Sequence, residues 1–420
     1  MRPASASADP RRRAATILAR VDAHDAHAAR LLADATPFER EVVLGALRWQ
    51  LTLDHLLRPH LRRPLAQLDA PLRAVLRAGL YEAQRMDTPA PVAVAEAVRV
   101  AKSVAPRASG LANAVLRRAS ADPWPDPADE SLPLSLRFSH PQWLIDRWVA
   151  RFGEGATRSA LAAGQRPAPL CLLAAATRGG WAEDAGVRLE PHPFVAGVEV
   201  VATGGETVAE ALRHGRAYAM DPAAVLVARL APDIPGVVAD LAAAPGGKSL
   251  VLALERPRGT LVSADRNLGR VVLMRRTLAL AGARPRPLAA DADSPAIRNG
   301  SCAVVVLDAP CSGTGTLRRH PEIRWRLRPA DLPGLAAVQR RLARAAAELL
   351  APGGHLLYST CSLEAEENDA VASGLGLEPV AIDPLIPSAA PRAALASGGV
   401  AILPSEVNDG HTVHLLRAGR

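Results

Sequence analysis

Two cysteines lie directly after apolar runs that are typical of buried strands. Cys311 belongs to "VVVLDAPCSGTG", and Cys361 belongs to "HLLYSTCSLEAEEN". Both thiols sit in polar loops rich in Gly, Ser and Thr, where a reactant can reach them, whereas we expect Cys171 and Cys302 to be small core residues. If the two strands belong to one parallel sheet, both thiols open onto the same edge of that sheet.

A third loop, "DLAAAPGGKSLVLAL" at 240–254, predicts a nucleotide-type ligand at that edge. Small residues between a strand and a helix let backbone amides approach a ligand closely. Asp265 ends the next strand-like run, where an acid in nucleotide-binding folds accepts hydrogen bonds from ribose hydroxyls. A P-loop would need glycine at Ala242, and a hydride cofactor would need G-x-G-x-x-G. S-adenosylmethionine fits better, because it carries adenosine and a cationic sulfonium but no phosphate; a plain strand-to-helix turn is the alternative.

A thiolate beside a methyl donor indicates one particular chemistry. C5 of cytosine or uracil is too weak a nucleophile to take a methyl group directly. Addition of a cysteine thiolate at C6 makes C5 nucleophilic, and C5 then attacks the methyl group. Loss of the C5 proton and elimination of the thiol complete the reaction. Asp308, three residues before Cys311, is placed to hydrogen-bond the base ring and assist the addition.

The elements that must position these loops alternate between strands and helices. From about residue 206 onward, short apolar runs alternate with helical stretches, which predicts a mainly parallel sheet with helices on both faces. The N-terminal part instead shows apolar residues at helical spacing and predicts an all-α domain. We therefore expect a flexible tail at 1–9, a helical domain at 10–120, a Pro-rich linker at 121–135, a small α/β segment at 136–205 and an α/β catalytic domain at 206–420.

The charge balance favours a polyanionic partner. The chain has 420 residues and a formal net charge of +8, with a sequence pI of about 10.1. Only two of its 50 Lys and Arg residues are lysines, so Lys248 in the small-residue loop indicates a need for a compact ammonium. No cysteine pair or Cys/His spacing suits zinc, and no apolar run reaches the roughly 18 residues of a membrane span. We expect a cytoplasmic monomer without a metal site.

Together these motifs resemble the Sun (Fmu) family of RNA cytosine-C5 methyltransferases, and among them the bacterial type that acts on 16S ribosomal RNA. The likeness covers nearly the whole chain. It rests on segments in the family's order, namely "DLAAAPGGK", "SADRNLGR", "DAD" at 291–293, "LDAPCSGTGTLRRHPEIRWR" and "YSTCSLEAEEND". The N-terminal helices resemble the NusB-like RNA-binding domain, and "FSHPQWLIDRWVARFG" resembles the lead-in to a small pre-catalytic RNA-binding segment. The resemblance implies a C-terminal Rossmann-like, S-adenosylmethionine-dependent methyltransferase domain.

The resemblance also implies roles for single residues. Cys361 is then the nucleophile, Cys311 assists release of the methylated RNA, and Asp308 serves both the base and the cofactor site. DNA cytosine methyltransferases instead use the cysteine that follows a proline, which is Cys311 here. The residues alone therefore leave open which of the two thiols is the nucleophile. The implied S-adenosylmethionine site consists of Ala242, Ala243, Ala244, Pro245, Gly246, Gly247, Lys248, Asp265, Arg270, Asp291 and Asp308. His320 is a further supporting candidate, and the basic run at 318–328 is expected to grip phosphates, with Trp325 either stacked on a base or packed in the core.

Two other functions compete with this reading. One is methylation of a transfer RNA or of another ribosomal RNA position, against which the NusB-like helices argue only by analogy. The other is a catalytically silent RNA-binding factor for ribosome assembly, against which the intact cysteines, Asp308 and Lys248 argue. Of the family's Gln-Asp-Glu before the catalytic domain only Asp221 is present, which bears on substrate choice. In each case we expect RNA as the partner, with neither DNA nor a membrane.

Overall fold

The computed structural model describes residues 9–24, 26–177, 182, 186–256, 259–280, 282 and 286–419. They divide into two compact units. The first comprises the described residues up to Arg166 together with a returning segment, Leu317–Leu327. The second comprises the described residues from Pro167 to Thr316 and from Arg328 onward. The five-part division expected from the sequence stays a prediction about chain organisation.

The first unit is built from helices, which confirms the predicted all-α N-terminal fold. Its longer helices are Pro10–His24, Pro37–Arg48, Gln50–Leu57, Ala70–Arg85, Ala90–Val104, Ser109–Ala119, Gln142–Phe152 and Glu154–Ala163, with four-residue helices at Ala28–Leu31, Leu134–Arg137 and Ile323–Arg326. Thr36 and Glu39 form a capping box that fixes the start of the second of these helices. Leucines at spacings of four, Leu72, Leu76 and Leu80, are buried in the core because that spacing places them on one helix face.

The Pro-rich stretch expected to be a linker lies within the first unit. Trp124 meets Trp49 edge to face, with ring centroids 5.1 Å apart. The Arg85 guanidinium lies over both rings, at 5.4 Å from the Trp49 centroid and 5.1 Å from that of Trp124. The stretch is therefore held against the helices by aromatic and cation–π contacts although its prolines exclude long regular structure.

The second unit begins with a small antiparallel sheet. Its strands are β1 (Cys171–Leu173), β2 (Leu189–Pro191) and β3 (Val198–Val201), in the order β1-β3-β2. The helix Gly205–Arg213 follows. The predicted α/β character of the chain before the catalytic part thus appears as helices in the first unit and this sheet in the second.

The main sheet of the second unit carries the predicted sheet edge. Its strands are β4 (Val237–Leu241), β5 (Thr260–Asp265), β6 (Arg286–Ala289), β7 (Cys302–Asp308), β8 (Leu350–Thr360), β9 (Glu378–Val380), β10 (Arg392–Ala394), β11 (Val400–Ile402) and β12 (His411–Arg417). The order is β10-β11-β12-β8-β7-β4-β5-β6, and β9 pairs with β12. Strands β6, β5, β4, β7 and β8 run parallel, whereas the strands beyond β8 are antiparallel.

Helices complete the α/β architecture of the second unit. They are Pro222–Arg229, Gly247–Glu255, Leu268–Ala279, Leu332–Glu348 and the four-residue Asp369–Ala372. The central strand β7 reads Val304, Val305, Val306 and Leu307, all fully buried, because a parallel strand covered on both faces needs apolar side chains on both. The Rossmann-like fold expected from the sequence is confirmed, and the carboxyl ends of its parallel strands meet at one edge.

The fold contains no helix, among the residues described, that is long and apolar enough to cross a membrane.

Candidate active site

The small-residue loop after β4 is tightly packed. Ala242 has φ 56° and Gly246 has φ 105°, both in the left-handed region. A Cβ on Gly246 would lie 2.9 Å from Cγ of Met274, so glycine is required there on two counts. The helix Gly247–Glu255 starts at this point with its first N–H groups at the sheet edge. The loop therefore brings backbone close to any ligand that binds over β4.

A buried polar cluster anchors this loop from below. Ser249 donates a hydrogen bond to Asp240 (Oγ–Oδ2 2.5 Å) and is 2.7 Å from the hydroxyl of Ser263. All three residues are completely buried. Burial raises the pKa of Asp240 to about 7, and the bond from Ser249 and the Lys248 charge oppose that rise. Asp240 was not predicted as a functional residue, although it is the first residue of the predicted cofactor motif "DLAAAPGGK".

Asp265 and Arg270 converge on the same loop from β5 and from the helix after it. The Asp265 carboxylate is buried and accepts hydrogen bonds from the N–H groups of Ala244 (3.3 Å) and Asn267 (2.9 Å). Arg270 pairs with Asp265 at 3.5 Å and donates a hydrogen bond to the Ala244 carbonyl oxygen. Asp291, just after β6, is exposed and accepts from the N–H of Asp293 at 3.1 Å. These residues line the β4–β5–β6 side of the edge.

Lys248 and Asp308 form an ion pair at the carboxyl end of β7. Their Nζ and Oδ2 atoms are 2.7 Å apart, and Lys248 is buried. The other carboxylate oxygen accepts from the Ser359 hydroxyl at 2.9 Å, because the β7–β8 register places Asp308 beside Ser359. Burial alone would raise the pKa of Asp308, but the Lys248 ammonium, His411 and these hydrogen bonds hold it below its usual value. Asp308 is therefore an ionised carboxylate at neutral pH.

The two cysteines meet beside this ion pair. The Sγ atoms of Cys311 and Cys361 are 3.1 Å apart, and both residues are half-buried. Between the loops, Gly315 donates to the Cys361 carbonyl oxygen and accepts from the Gly410 N–H, both at 2.8 Å. A Cβ on Gly315 would lie 2.2 Å from the Gly410 oxygen, so only glycine fits. The predicted approach of two thiols at one sheet edge is thus present.

The thiol of Cys311 is held in its protonated form. Its hydrogen bond to Cys361, then burial, and then the negative charges of Cys361, Glu367 and Asp308 raise the pKa of Cys311 well above its usual value. Cys311 therefore holds a proton next to the Cys361 sulfur. Chemically, this arrangement offers one nucleophilic sulfur and one adjacent proton donor.

One arginine of the basic run at 318–328 is placed differently from the expectation. Arg324 is buried and donates to the carbonyl oxygens of Arg48 (2.9 Å), Ser139 (3.2 Å) and Gly164 (2.7 Å). Trp325 donates through Nε1 to the Leu47 carbonyl oxygen at 2.7 Å. Both side chains are hydrogen-bonded within the first unit, so the buried Arg324 does not grip phosphates. Trp325 is half-buried, and its two predicted roles stay predictions. His320 belongs to the same returning segment of the first unit.

Sequence reasoning missed the polar residues behind the two cysteines. Glu367, Gln339, Ser312 and Ser362 form a hydrogen-bonded network there. Glu367 and Ser362 lie in the segment "YSTCSLEAEEND", so their position in that motif was the available signal. Gln339 lies in the middle of the helix Leu332–Glu348, where nothing in its local sequence marks it. Among the described residues, no group of His, Cys, Asp and Glu is arranged to hold a metal ion.

Comparison with known proteins identifies the family of the chain. Residues 227–378 match the family described as 16S rRNA methyltransferase RsmB/F, and residues 8–121 match the NusB family. The chain is 35% identical to ribosomal RNA small subunit methyltransferase B of Thermus thermophilus, over 79% of this chain and 75% of that one. It is 32% identical to the protein of the same name from Salmonella paratyphi B, over 78% and 79% of the two chains.

Solved structures share the fold. The crystal structure of PH0851 covers 98% of this chain and all of its own, with a TM-score of 0.76 at 23% identity. A methyltransferase homolog from Pyrococcus horikoshii covers 69% of this chain and 99% of its own, with a TM-score of 0.55 at 22% identity. Identity above 30% over most of both chains confirms the resemblance found in the sequence: this chain belongs to the RsmB/F family of 16S rRNA methyltransferases and is an S-adenosylmethionine-dependent methyltransferase.

Proposed function

We propose that this protein methylates C5 of a cytosine in 16S ribosomal RNA, in the cytoplasm, through a covalent adduct between Cys361 and C6 of the base. The single observation that carries the proposal is the 3.1 Å contact between the sulfurs of Cys361 and Cys311 beside the ionised Asp308. A C5 methylation needs a sulfur nucleophile, a group that recognises the base and a proton carrier within one small space. The relatives' name, ribosomal RNA small subunit methyltransferase B, supports the choice of substrate.

The residues of the β4–β6 side fit S-adenosylmethionine. The loop Ala242–Lys248 leaves no room for a Cβ at Gly246 and presents backbone over the sheet edge. Asp265 and Asp291, at the ends of β5 and β6, are assigned to the ribose and to the adenine side, and Arg270 to the support of Asp265. When bound, S-adenosylmethionine supplies a methyl group on a cationic sulfonium. The negative carboxylate of Asp308, at the end of β7, attracts that positive charge.

The protein's own groups divide the reaction between them. The Cys361 thiolate adds to C6 of the base, forming the S–C6 bond and moving the electron pair of the C5–C6 double bond towards C5. After C5 has gained the methyl group, a base removes its proton, the C5–C6 double bond re-forms, and the S–C6 bond breaks to return the Cys361 thiolate. Cys311, assigned to release, sits in contact with the departing sulfur and can hydrogen-bond it.

Asp308 accounts for the choice of cytosine over uracil. An ionised carboxylate only accepts hydrogen bonds, and its Lys248 partner keeps it ionised. Cytosine carries an amino group at C4 that donates to such an acceptor, whereas uracil carries an oxygen that does not. The site therefore favours cytosine, because only cytosine can donate this hydrogen bond to Asp308.

The test is transfer of labelled methyl groups from S-adenosylmethionine to unmodified small-subunit ribosomal RNA, followed by nucleoside analysis. The wild-type protein is expected to produce 5-methylcytidine, and Cys361→Ala to produce none. Cys302→Ala is the matched control, because Cys302 is a buried core cysteine of β7 away from the strand's carboxyl end. Absence of transfer to any RNA by wild-type protein that binds S-adenosylmethionine would favour the assembly-factor alternative, and transfer to transfer RNA alone would change the substrate.

A further inference from the structure

One buried carboxylate joins the two cysteine loops from behind. Glu367 has no exposed surface. Its Oε1 accepts from the Ser312 N–H and from the Gln339 amide, both at 2.8 Å. Its Oε2 accepts from the Ser362 hydroxyl at 2.5 Å and from the Ser312 hydroxyl. Four donors on one carboxylate satisfy both oxygens, and all four donors are neutral.

Three of the four donor groups belong to the residues next to the thiols. Ser312 directly follows Cys311, and Ser362 directly follows Cys361. The Glu367 carboxylate therefore ties together two backbones that lie one residue away from the two sulfurs. The two cysteine loops follow different strands, so no covalent link keeps their side chains in contact. The shared hydrogen-bond acceptor holds the two loops together instead.

The network is also fixed on its outer side. The Gln339 amide that donates to Glu367 donates to the Pro310 carbonyl oxygen as well, at 2.9 Å, so it holds the residue before Cys311. The Tyr358 hydroxyl donates to the Glu367 carbonyl oxygen at 2.6 Å from within β8. Rigid elements on both sides thus limit the movement of the carboxylate, as a preorganised site requires.

We propose that Glu367 is a positioning residue that holds Cys311 and Cys361 in contact and places a fixed negative charge beside Cys311. This role rests on the proposed function: in catalysis the carboxylate keeps the two sulfurs in contact, so that Cys311 can hydrogen-bond the Cys361 sulfur as it leaves.

The ionisable groups that face Cys311 determine how the Glu367 charge affects its pKa. They are Cys361 after β8, Glu367 in the same loop region, Asp308 at the end of β7 and Tyr358 within β8. Cys361, Glu367 and Asp308 each raise the pKa of Cys311, and Cys311 in turn raises the pKa of Tyr358. Lys248 acts on the Cys361 side of the pair. Removing the Glu367 charge is therefore expected to make Cys311 ionise more easily.

The first experiment needs neither RNA nor S-adenosylmethionine. The full chain is alkylated with iodoacetamide across pH 6–10, and the rate at Cys311 is read by peptide mass spectrometry. Glu367→Gln is expected to shift the Cys311 profile by about one pH unit towards lower pH, which is about a tenfold faster alkylation at pH 8. Glu348→Gln, an exposed glutamate at the end of the same helix as Gln339, is the control and leaves the profile unchanged. An unshifted Cys311 profile in folded Glu367→Gln overturns the proposal.

The second experiment separates the tether from the charge. Ser362→Ala keeps the Glu367 charge but removes one of its bonds to the Cys361 loop. Diamide takes up the two electrons and the two protons of the thiols and becomes a hydrazine, while the two sulfurs join as a disulfide. We expect this reaction to be about tenfold slower in Ser362→Ala than in wild type, and an equal rate overturns the positioning role. If Glu367→Gln does not fold, this comparison decides the proposal by itself.

These readouts also separate this proposal from the proposed function. If the wild-type protein fails to methylate RNA but the thiol profiles change as expected, the proposed function fails and the role of Glu367 stands. If methylation occurs and the thiol profiles do not change, the reverse holds.

Discussion

Replacing Asp240 by asparagine should stabilise the second unit at neutral pH. The carboxyl group is completely buried and its pKa is raised to about 7 from an ordinary value of 3.8. Because one pKa unit corresponds to about 1.4 kcal/mol, keeping Asp240 ionised in the folded state costs about 4 kcal/mol. Between pH 3.8 and pH 7 the folded protein binds more protons than the unfolded chain, so the free energy of unfolding falls as pH rises through this window. Above pH 7 the folded protein has lost the full amount of about 4 kcal/mol of unfolding free energy.

Asparagine has the same shape and no charge, so the free energy of unfolding of Asp240→Asn does not fall in this way as pH rises. The difference in unfolding free energy between variant and wild type should grow by about 3 kcal/mol from pH 5 to pH 8. For a unit of this size that is roughly 6–12 °C in melting temperature, measurable by scanning calorimetry. Asp233→Asn, an exposed aspartate of the same unit, is the control. A difference that does not change with pH, or one that shrinks as pH rises, would refute the reasoning.

Three further predictions concern a glycine, a buried arginine and the ion pair. Gly315→Ala should destabilise the second unit by at least about 2 kcal/mol in calorimetry, because its Cβ would lie 2.2 Å from a backbone carbonyl oxygen; Gly334→Ala, with no atom within 4 Å, should not. Arg324→Met should destabilise the first unit by at least about 3 kcal/mol in calorimetry, because it leaves three buried carbonyl oxygens without their donor, and a loss under 1 kcal/mol would contradict this. Lys248→Met should move the acid limb of the pH–rate profile for methyl transfer to higher pH by about one unit or more, because Asp308 loses the cation that lowers its pKa; an unmoved limb in an active variant would argue against an ionised Asp308.

Much of the fold could be predicted from periodic apolar residues. The helices of the first unit and the parallel strands of the second have clear periods, and each parallel strand ends in polar or small residues. Because parallel strands share a carboxyl edge, Cys311 and Cys361 could be expected to approach each other across fifty residues of sequence. Lys248 could be singled out because lysine is so rare in this chain. Its partner Asp308 lies at the end of β7, the strand next to β4 in the sheet.

The remaining parts of the site have no local signal. Gln339 looks like any polar residue of an amphipathic helix, and its role depends on the packing of that helix behind the cysteine loops. Arg324 belongs to a run that looks like a phosphate-binding surface, yet its guanidinium satisfies three carbonyl oxygens inside the first unit. Both depend on contacts between distant segments, which periodicity does not encode. Composition indicated the basic charge of the chain but not which arginines remain exposed.

The most direct test of the central claim is a covalent complex between protein and RNA. Cys311→Ala, incubated with unmodified small-subunit ribosomal RNA and S-adenosylmethionine, is analysed on a denaturing gel beside the double variant Cys311→Ala/Cys361→Ala. The account predicts a retarded protein–RNA band in the single variant, because release is impaired after the Cys361 adduct has formed, and no such band in the double variant. A band that persists without Cys361, or one that appears in Cys361→Ala and not in Cys311→Ala, would contradict the assignment of Cys361 as the nucleophile.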